Sequence, residues 1–399
     1  MLPQNYKLKT ITLERSNWCF LKKLSSMFNS ILVTVFFVSS FGTSLFAQEV
    51  EMKTSGRLIL GTYKERSASV ASGDIDGDGD IDLIVANGRH WPGQNRIFIN
   101  DGRGIFTVEK DLGNYRETSY AAELADLDMD GDLDVVVGND MAPNVVFLND
   151  GEGNFTKKGS FGEAYAPTRN ITLADLNRDG HMDILITNRG RPNEICLNDG
   201  RANFLESKSF GSKDDSTIDV EVADMNGDGN LDLVLANRDQ QPNYVYLNDG
   251  KLGFNEKIKF GTGNDNTRSV GVGDLNNDGI PDIITANIGE SNHIYFGDKT
   301  KSFAKTVVFD ATEAQSYAMS LSDLNRDGLM DIIIGNSESP NFIYLNRDNG
   351  RKWTAYKLNQ EAFDTYDIIS ADLNNDGFSD IIEANSDDIN RYYFNLKNK

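Results

Sequence analysis

The chain is poor in sulfur, imidazole and positive charge. Two cysteines, Cys19 and Cys196, stand among 399 residues, so no disulfide framework staples it. Three histidines supply no zinc ligand set and no Ser-His-Asp or Cys-His arrangement that the sequence reveals. Lys and Arg number 39 against 61 Asp and Glu, a net charge of −22 with no basic run. That excludes a nucleic-acid partner, because phosphate binding needs a basic face. Long hydrophobic runs are missing too. The best candidate, Ile31 to Phe46, is interrupted by Ser and Thr and falls short of the ~20 apolar residues a span requires. It follows Lys22 and Lys23 and precedes Ala47-Gln48, so residues 1–47 read as a secretory signal peptide. The mature protein, residues 48–399, is then expected to be secreted or displayed at the cell surface, without a membrane span. Only Cys196 would remain after cleavage, at a strand position that other repeats fill with Phe or Tyr, and it reads as a buried thiol.

Acidic loops of the form D-x-[D/N]-x-D-G-x-x-D are what the chain has in abundance. The first presents Asp74, Asp76, Asp78 and Asp82 around Gly79, and the second Asp126, Asp128, Asp130 and Asp134 around Gly131. Five more carry Asn at the third position: Asp175, Asn177, Asp179 and Asp183; Asp224, Asn226, Asp228 and Asp232; Asp274, Asn276, Asp278 and Asp282; Asp323, Asn325, Asp327 and Asp331; Asp372, Asn374, Asp376 and Asp380. A period of about 50 residues over the whole chain marks a repeat architecture. Ca²⁺ takes six to eight hard oxygen ligands, which alternate side chains of one tight loop can turn inward, and Gly at position six permits the turn. Up to seven Ca²⁺ are therefore expected. Asp, Asn and Gly are also ordinary turn residues, but four oxygen-bearing side chains at fixed positions repel one another without a cation. An EF-hand would need Glu at position twelve. Here that position holds Val85, Val137, Ile186, Leu235, Thr285, Ile334 and Glu383, and the flanks are β-branched runs rather than helices.

Aligned on the first aspartate, each repeat reads as four strands, A to D. Strand A precedes the loop. Strand B follows it and ends at a recurring Asn: Asn87, Asn139, Asn188, Asn237, Asn287, Asn336 and Asn385. Strands C and D flank an N-D-G turn in the first four copies. Four strands per 50 residues without helical periodicity predict an all-β, seven-bladed β-propeller of antiparallel blades. The last repeat lacks a strand D, and the segment from about Glu51 to Gly61 is expected to supply it and close the ring.

The loops, with Phe161-Gly162, Phe210-Gly211 and Phe260-Gly261, resemble FG-GAP/VCBS-type repeats, a pattern similar to that of integrin α-subunit head propellers, over roughly residues 50 to 395. The resemblance implies a calcium-stabilised extracellular propeller. It implies no single activity, since one fold hosts many functions, and adhesion by an integrin mechanism is not expected.

In such blades the A-B and C-D loops share one face, so calcium is expected to be structural and the opposite face to bind ligands. Strand A lies innermost. Six residues before each first aspartate stand Ala68, Tyr120, Arg169, Ile218, Arg268, Tyr317 and Tyr366, which puts three tyrosines and two arginines at the channel mouth. Aromatic faces and arginine forks bind sugars, carboxylates and sulfates. The B-C loop of the first repeat is longer than most and adds His90 and Trp91. The candidate ligand residues are thus Tyr120, Arg169, Arg268, Tyr317, Tyr366, His90 and Trp91. The leading functional expectation is a non-catalytic binding module for a glycan or an extracellular protein. A polysaccharide lyase using Tyr and Arg at the mouth is the second, and a purely structural assembly protein the third.

Overall fold

The computed structural model describes residues 50–396; the expected signal peptide lies outside them. Among the described residues every regular element is a β-strand. The A strands are Ile59–Gly73, Ser119–Ala125, Thr168–Ala174, Thr217–Ala223, Thr267–Gly273, Gln315–Ser322 and Asp364–Ala371. Each acidic loop then leads into a B strand such as Asp134–Asn139 or Asp183–Asn188, all six of whose residues are buried. Full burial explains why these runs are β-branched throughout instead of alternating: both faces of the strand are covered. C and D strands such as Asn144–Leu148 and Thr156–Phe161 complete an antiparallel A-B-C-D sheet.

Five sheets have this four-stranded form, and the first and last repeats share a seven-stranded one. There, Glu51–Lys53 pairs with Phe394–Leu396, and Ile59 and Leu60 lie opposite Arg391 and Asn390. The N-terminal segment therefore occupies, beside the last C segment, the place a D strand holds in the other repeats.

The apolar core is divided among successive sheets. Val135, Val137, Val145 and Phe147 of the second repeat pack on Ile84, Ala86 and Ile97 of the first, and equivalent clusters follow along the chain. One cluster joins Leu373, Ile382, Ala384 and Tyr392 of the last repeat to Val70, Leu83, Val85 and Phe98 of the first. Cys196 lies in the second cluster, fully buried, and burial pushes its thiol up to about 12.

The recurring Asn and Ser/Thr positions knit the sheets together. The buried Ser119 hydroxyl donates to Asn139 Oδ1 at the end of its own B strand (2.9 Å) and accepts from Asn95 Nδ2 of the preceding sheet (2.9 Å). The same link recurs as Asn243 to Thr267, Asn292 to Ser316 and Asn341 to Thr365. Asn390 of the last repeat makes it to Ser67 of the first (2.9 Å). Buried polar groups in a core need such partners.

Candidate functional site

Every A strand carries a β-bulge at one position, shown by a register shift between the residues seven and five before the first aspartate. The bulged residues are Ala68, Tyr120, Arg169, Ile218, Arg268, Tyr317 and Tyr366. A bulge leaves one residue out of the ladder and re-aims its side chain. Here it turns all but the buried Ile218 to the entrance of one cavity of about 310 Å³, lined by Tyr120, Arg169, Arg268, Tyr317 and Tyr366 among others. The five candidates read from the A strands are thus brought together.

Arginine and tyrosine pair at this entrance. The Arg169 guanidinium lies 4.5 Å from the Tyr120 ring centroid, Arg268 5.8 Å from Tyr317, and Arg89 4.1 Å from Tyr366. Tyr317 and Tyr366 meet edge to face at 5.1 Å. Arg89, from the B-C loop of the first repeat, was not among the expected residues: it precedes the conspicuous His-Trp pair and has no counterpart at that register. The arginines differ in what holds them. Arg169 forms an ion pair with Asp140 at 2.7 Å, with both side chains close to buried. Arg268 has no hydrogen bond or ion pair among the described residues; burial lowers its pKa, opposed by the charge of Asp219 and by Tyr366 and Tyr120.

His90 and Trp91 separate. His90 Nδ1 meets Asp140 Oδ2 at 2.7 Å, and its Nε2 meets the Tyr120 hydroxyl at 2.8 Å. With the carboxylate accepting, Nδ1 carries the proton, and in the neutral ring Nε2 accepts from Tyr120. Tyr120 is 7% exposed, and burial raises the pKa of its phenol. Trp91 does not line this cavity. It is 64% exposed and borders a shallow cleft with Tyr63, Arg66 and Arg116. Insertion length alone could not tell which of two adjacent side chains turns inward.

Deeper along the same strands lie four carboxylates that the sequence reading missed. Asp219 and Asp367 follow at the next inward-facing position, and Glu123 and Glu221 two residues beyond. Asp219 is buried and satisfied: it accepts from Ser269 Oγ (2.9 Å), Val270 N (3.0 Å) and Asn170 Nδ2. Asp367 accepts from Val70 N at 2.9 Å. Glu123 has no hydrogen bond or ion pair among the described residues, and Glu221 accepts only from the backbone N–H of Val222. Burial first, then neighbouring acids, pushes both up to about 8. The repeat offered a signal: this position otherwise holds Ala71, Thr172, Gly271, Ser320 and Ile369, so two glutamates on an inner strand stand out.

The acidic loops begin where the A strands end, six residues or roughly 20 Å from the bulges. In the first loop Asp74 accepts from Gly77 N and Gly79 N at 2.9 and 3.0 Å. Gly79 has φ 92°, and the sixth-position glycine is left-handed in all seven loops. Asp74, Asp76 and Asp82 bring one oxygen each within 4.8 Å of one another, as do Asp126, Asp128 and Asp130. Three buried third-position oxygens, Asp76 Oδ1, Asp128 Oδ1 and Asn276 Oδ1, have no hydrogen-bond partner. Orphaned oxygens beside further carboxylates fit a hard divalent cation, which would supply the missing charge. The ninth-position aspartates also have a structural part. Asp82 is fully buried and accepts from Ile75 N (3.1 Å) and Asn100 N (2.7 Å), tying the loop to the end of strand C. Glu383, at the twelfth position, bonds instead to Asn341, Asn359 and Tyr393 inside the sheets, so no EF-hand forms.

Comparison with solved structures finds similar folds. BBS1N, crystallised in complex with ARL6DN, is 9% identical with a TM-score of 0.58, covering 88% of this chain and 98% of that one. An Agrocybe aegerita lectin that recognises non-reducing terminal N-acetylglucosamine is 20% identical with a TM-score of 0.54, covering 74% and 80%. At these identities the likeness shows the β-propeller type of fold alone. No curated protein sequence matches. The FG-GAP-like repeat matches six overlapping stretches, residues 74–137, 126–186, 175–235, 224–285, 274–334 and 323–383. Together they span most of the chain, which belongs to the FG-GAP-like repeat family.

Proposed function

We propose that this chain is an exported, calcium-stabilised propeller of seven blades, closed by its N-terminal strand, that binds a glycan in its axial cavity without transforming it. Closure is supported by links between the last repeat and the first: Asn390 to Ser67, Asn100 Nδ2 to Leu373 O, and Asp367 to Val70 N. Among the structural neighbours one is bound to a protein and one recognises a terminal sugar, so the fold leaves the partner class open. The observation that carries the glycan reading is the entrance itself. Three tyrosines and two arginines, Arg268 without an ion pair, line a polar cavity of about 310 Å³, with Arg89 on the Tyr366 ring, at the small end of ligand sites.

A glycan array on residues 48–399, run with calcium and with chelator, tests this. Binding by the wild type that is lost in Arg268→Ala supports the site. An array without hits, or hits that survive in Arg268→Ala, removes the cavity from consideration and favours a protein partner or a structural role.

The Tyr120-His90-Asp140 chain favours one second reading, a polysaccharide lyase. His90, oriented by Asp140, would take the Tyr120 proton, and the phenolate would remove the proton beside a uronate carboxylate held by Arg268. Incubation with uronate polysaccharides, read by the ultraviolet absorbance of the unsaturated product, tests it; no product at any pH, or product undiminished in Tyr120→Phe, ends that reading.

A further inference from the structure

The cavity changes sign with depth. Its entrance carries the guanidinium groups of Arg169 and Arg268, and Arg89 lies on the ring of Tyr366, which also lines it. Below them stand Asp219 and Asp367, then Glu123 and Glu221. The upper two acids are consumed by backbone and side-chain donors. The lower two have between them only the Val222 N–H, which reaches Glu221, and nothing cationic at their depth neutralises them: the charged groups that act on Glu123 are Asp367, Glu221 and Asp219, and Asp219 acts on Glu221. Arg268, the one wall cation without a partner, stands at the entrance level and not between the glutamates. Both side chains are half-buried and line the cavity, so their oxygens are open to whatever fills it.

Resting on the glycan reading above, we propose that the ligand is an amino sugar with a free ammonium group, which descends past the arginine entrance to sit between Glu123 and Glu221. The ring's hydroxyls, or an acidic substituent on it, would meet Arg268 and the tyrosine hydroxyls at the entrance. An ammonium supplies three donors and a compensating charge, matching two carboxylates that lack a counter-charge and have one backbone donor between them. An N-acetyl group on the same nitrogen removes the charge and two of the three donors. The arginine ring disfavours a bare polycation at the entrance, so a single amine on a hydroxyl-rich body fits better.

Proton linkage gives the site a signature. Without ligand the two glutamates are held protonated near neutral pH by burial and by Asp219 and Asp367. The other charged or titratable groups facing the cavity are Arg268, Arg169, Tyr120, Tyr317 and Tyr366. An arriving ammonium favours the carboxylate form, so binding below about pH 7 releases a proton to the buffer.

The test is calorimetric titration of the calcium-loaded chain at pH 6 with a chitin tetramer carrying one free amine, at its non-reducing end, and with its fully N-acetylated counterpart, in two buffers of different ionisation enthalpy. The inference expects the amine form to bind about ten- to a hundredfold more tightly, with a heat that depends on the buffer. The isosteric Glu123→Gln/Glu221→Gln variant, checked for folding by its melting curve, should lose both the preference and the buffer dependence. Equal binding of the two tetramers, or a preference that survives in the double variant, overturns the amine inference and leaves the glycan reading intact. No binding of either tetramer at millimolar concentration overturns the inference; only a blank glycan array would also remove the reading beneath it.

Discussion

Arg169 and Arg268 occupy the same repeat position yet should answer mutation differently. Arg169 and Asp140 form a pair with side chains only 12% and 9% exposed. Truncating one partner strands the other, at a cost of about 3–5 kcal/mol for a fully buried pair and less here, where His90 also holds Asp140. Arg169→Met is therefore expected to lower the denaturant midpoint clearly. Arg268 has no partner to strand, so Arg268→Met should leave the midpoint unchanged or raised while abolishing ligand binding. Equal destabilisation by both would contradict this assignment. The register of the repeat made these two arginines and the three tyrosines legible in the sequence. It could not show that Arg169 is committed to Asp140, because that contact depends on a side chain from the B-C loop of the preceding repeat. It hid Arg89 for the same reason.

Glu123 and Glu221 set a pH dependence. Their folded-state pKa, about 8, lies above the ordinary carboxylate value of 4.5, so the folded protein holds protons that the unfolded chain has released. Their contribution is fully present below about pH 4.5 and is lost as pH rises toward 8. The ligand-free, calcium-saturated protein should therefore melt at progressively lower temperature from about pH 5 to pH 8. Glu123→Gln/Glu221→Gln should flatten that decline. A wild-type decline that persists in the variant would assign it to other groups.

At the level of elements, the bulge and the Asn-Ser/Thr links decide where the cavity residues point. Asn193 is fully buried; its Oδ1 accepts from Asn188 N (2.9 Å) and its Nδ2 donates to Thr217 Oγ1 (3.1 Å). Asn193→Ala strands a buried N–H and opens the contact between two sheets, for about 1–3 kcal/mol, which urea unfolding would register. The surface loop substitution Lys213→Ala should cost under about 0.5 kcal/mol. The four-strand grammar was legible because turn residues, β-branched runs and a terminal Asn recur in register. The bulge was not, since a bulge is a mismatch between two strands and leaves no mark on either one alone. The recurring Ser or Thr just before it joins two asparagines from neighbouring sheets.

For the whole molecule, the acidic loops are the largest source of unbalanced charge, and a chain of −22 must offset it to stay compact. The loops were fully legible as a ligand set; the double duty of Asp82 and its equivalents was not, because one of the two backbone donors comes from a strand about 18 residues away. The account's central claim is that these loops are cation sites holding the scaffold that carries the cavity. The most direct test is thermal unfolding of residues 48–399, first in chelator and then with calcium titrated back. Each loop filled at a hundred times its Kd adds about 2.7 kcal/mol. The account predicts a melting temperature that climbs by many degrees and levels off as the loops fill, with magnesium much less effective; a melting temperature that calcium and chelator leave unchanged would contradict it.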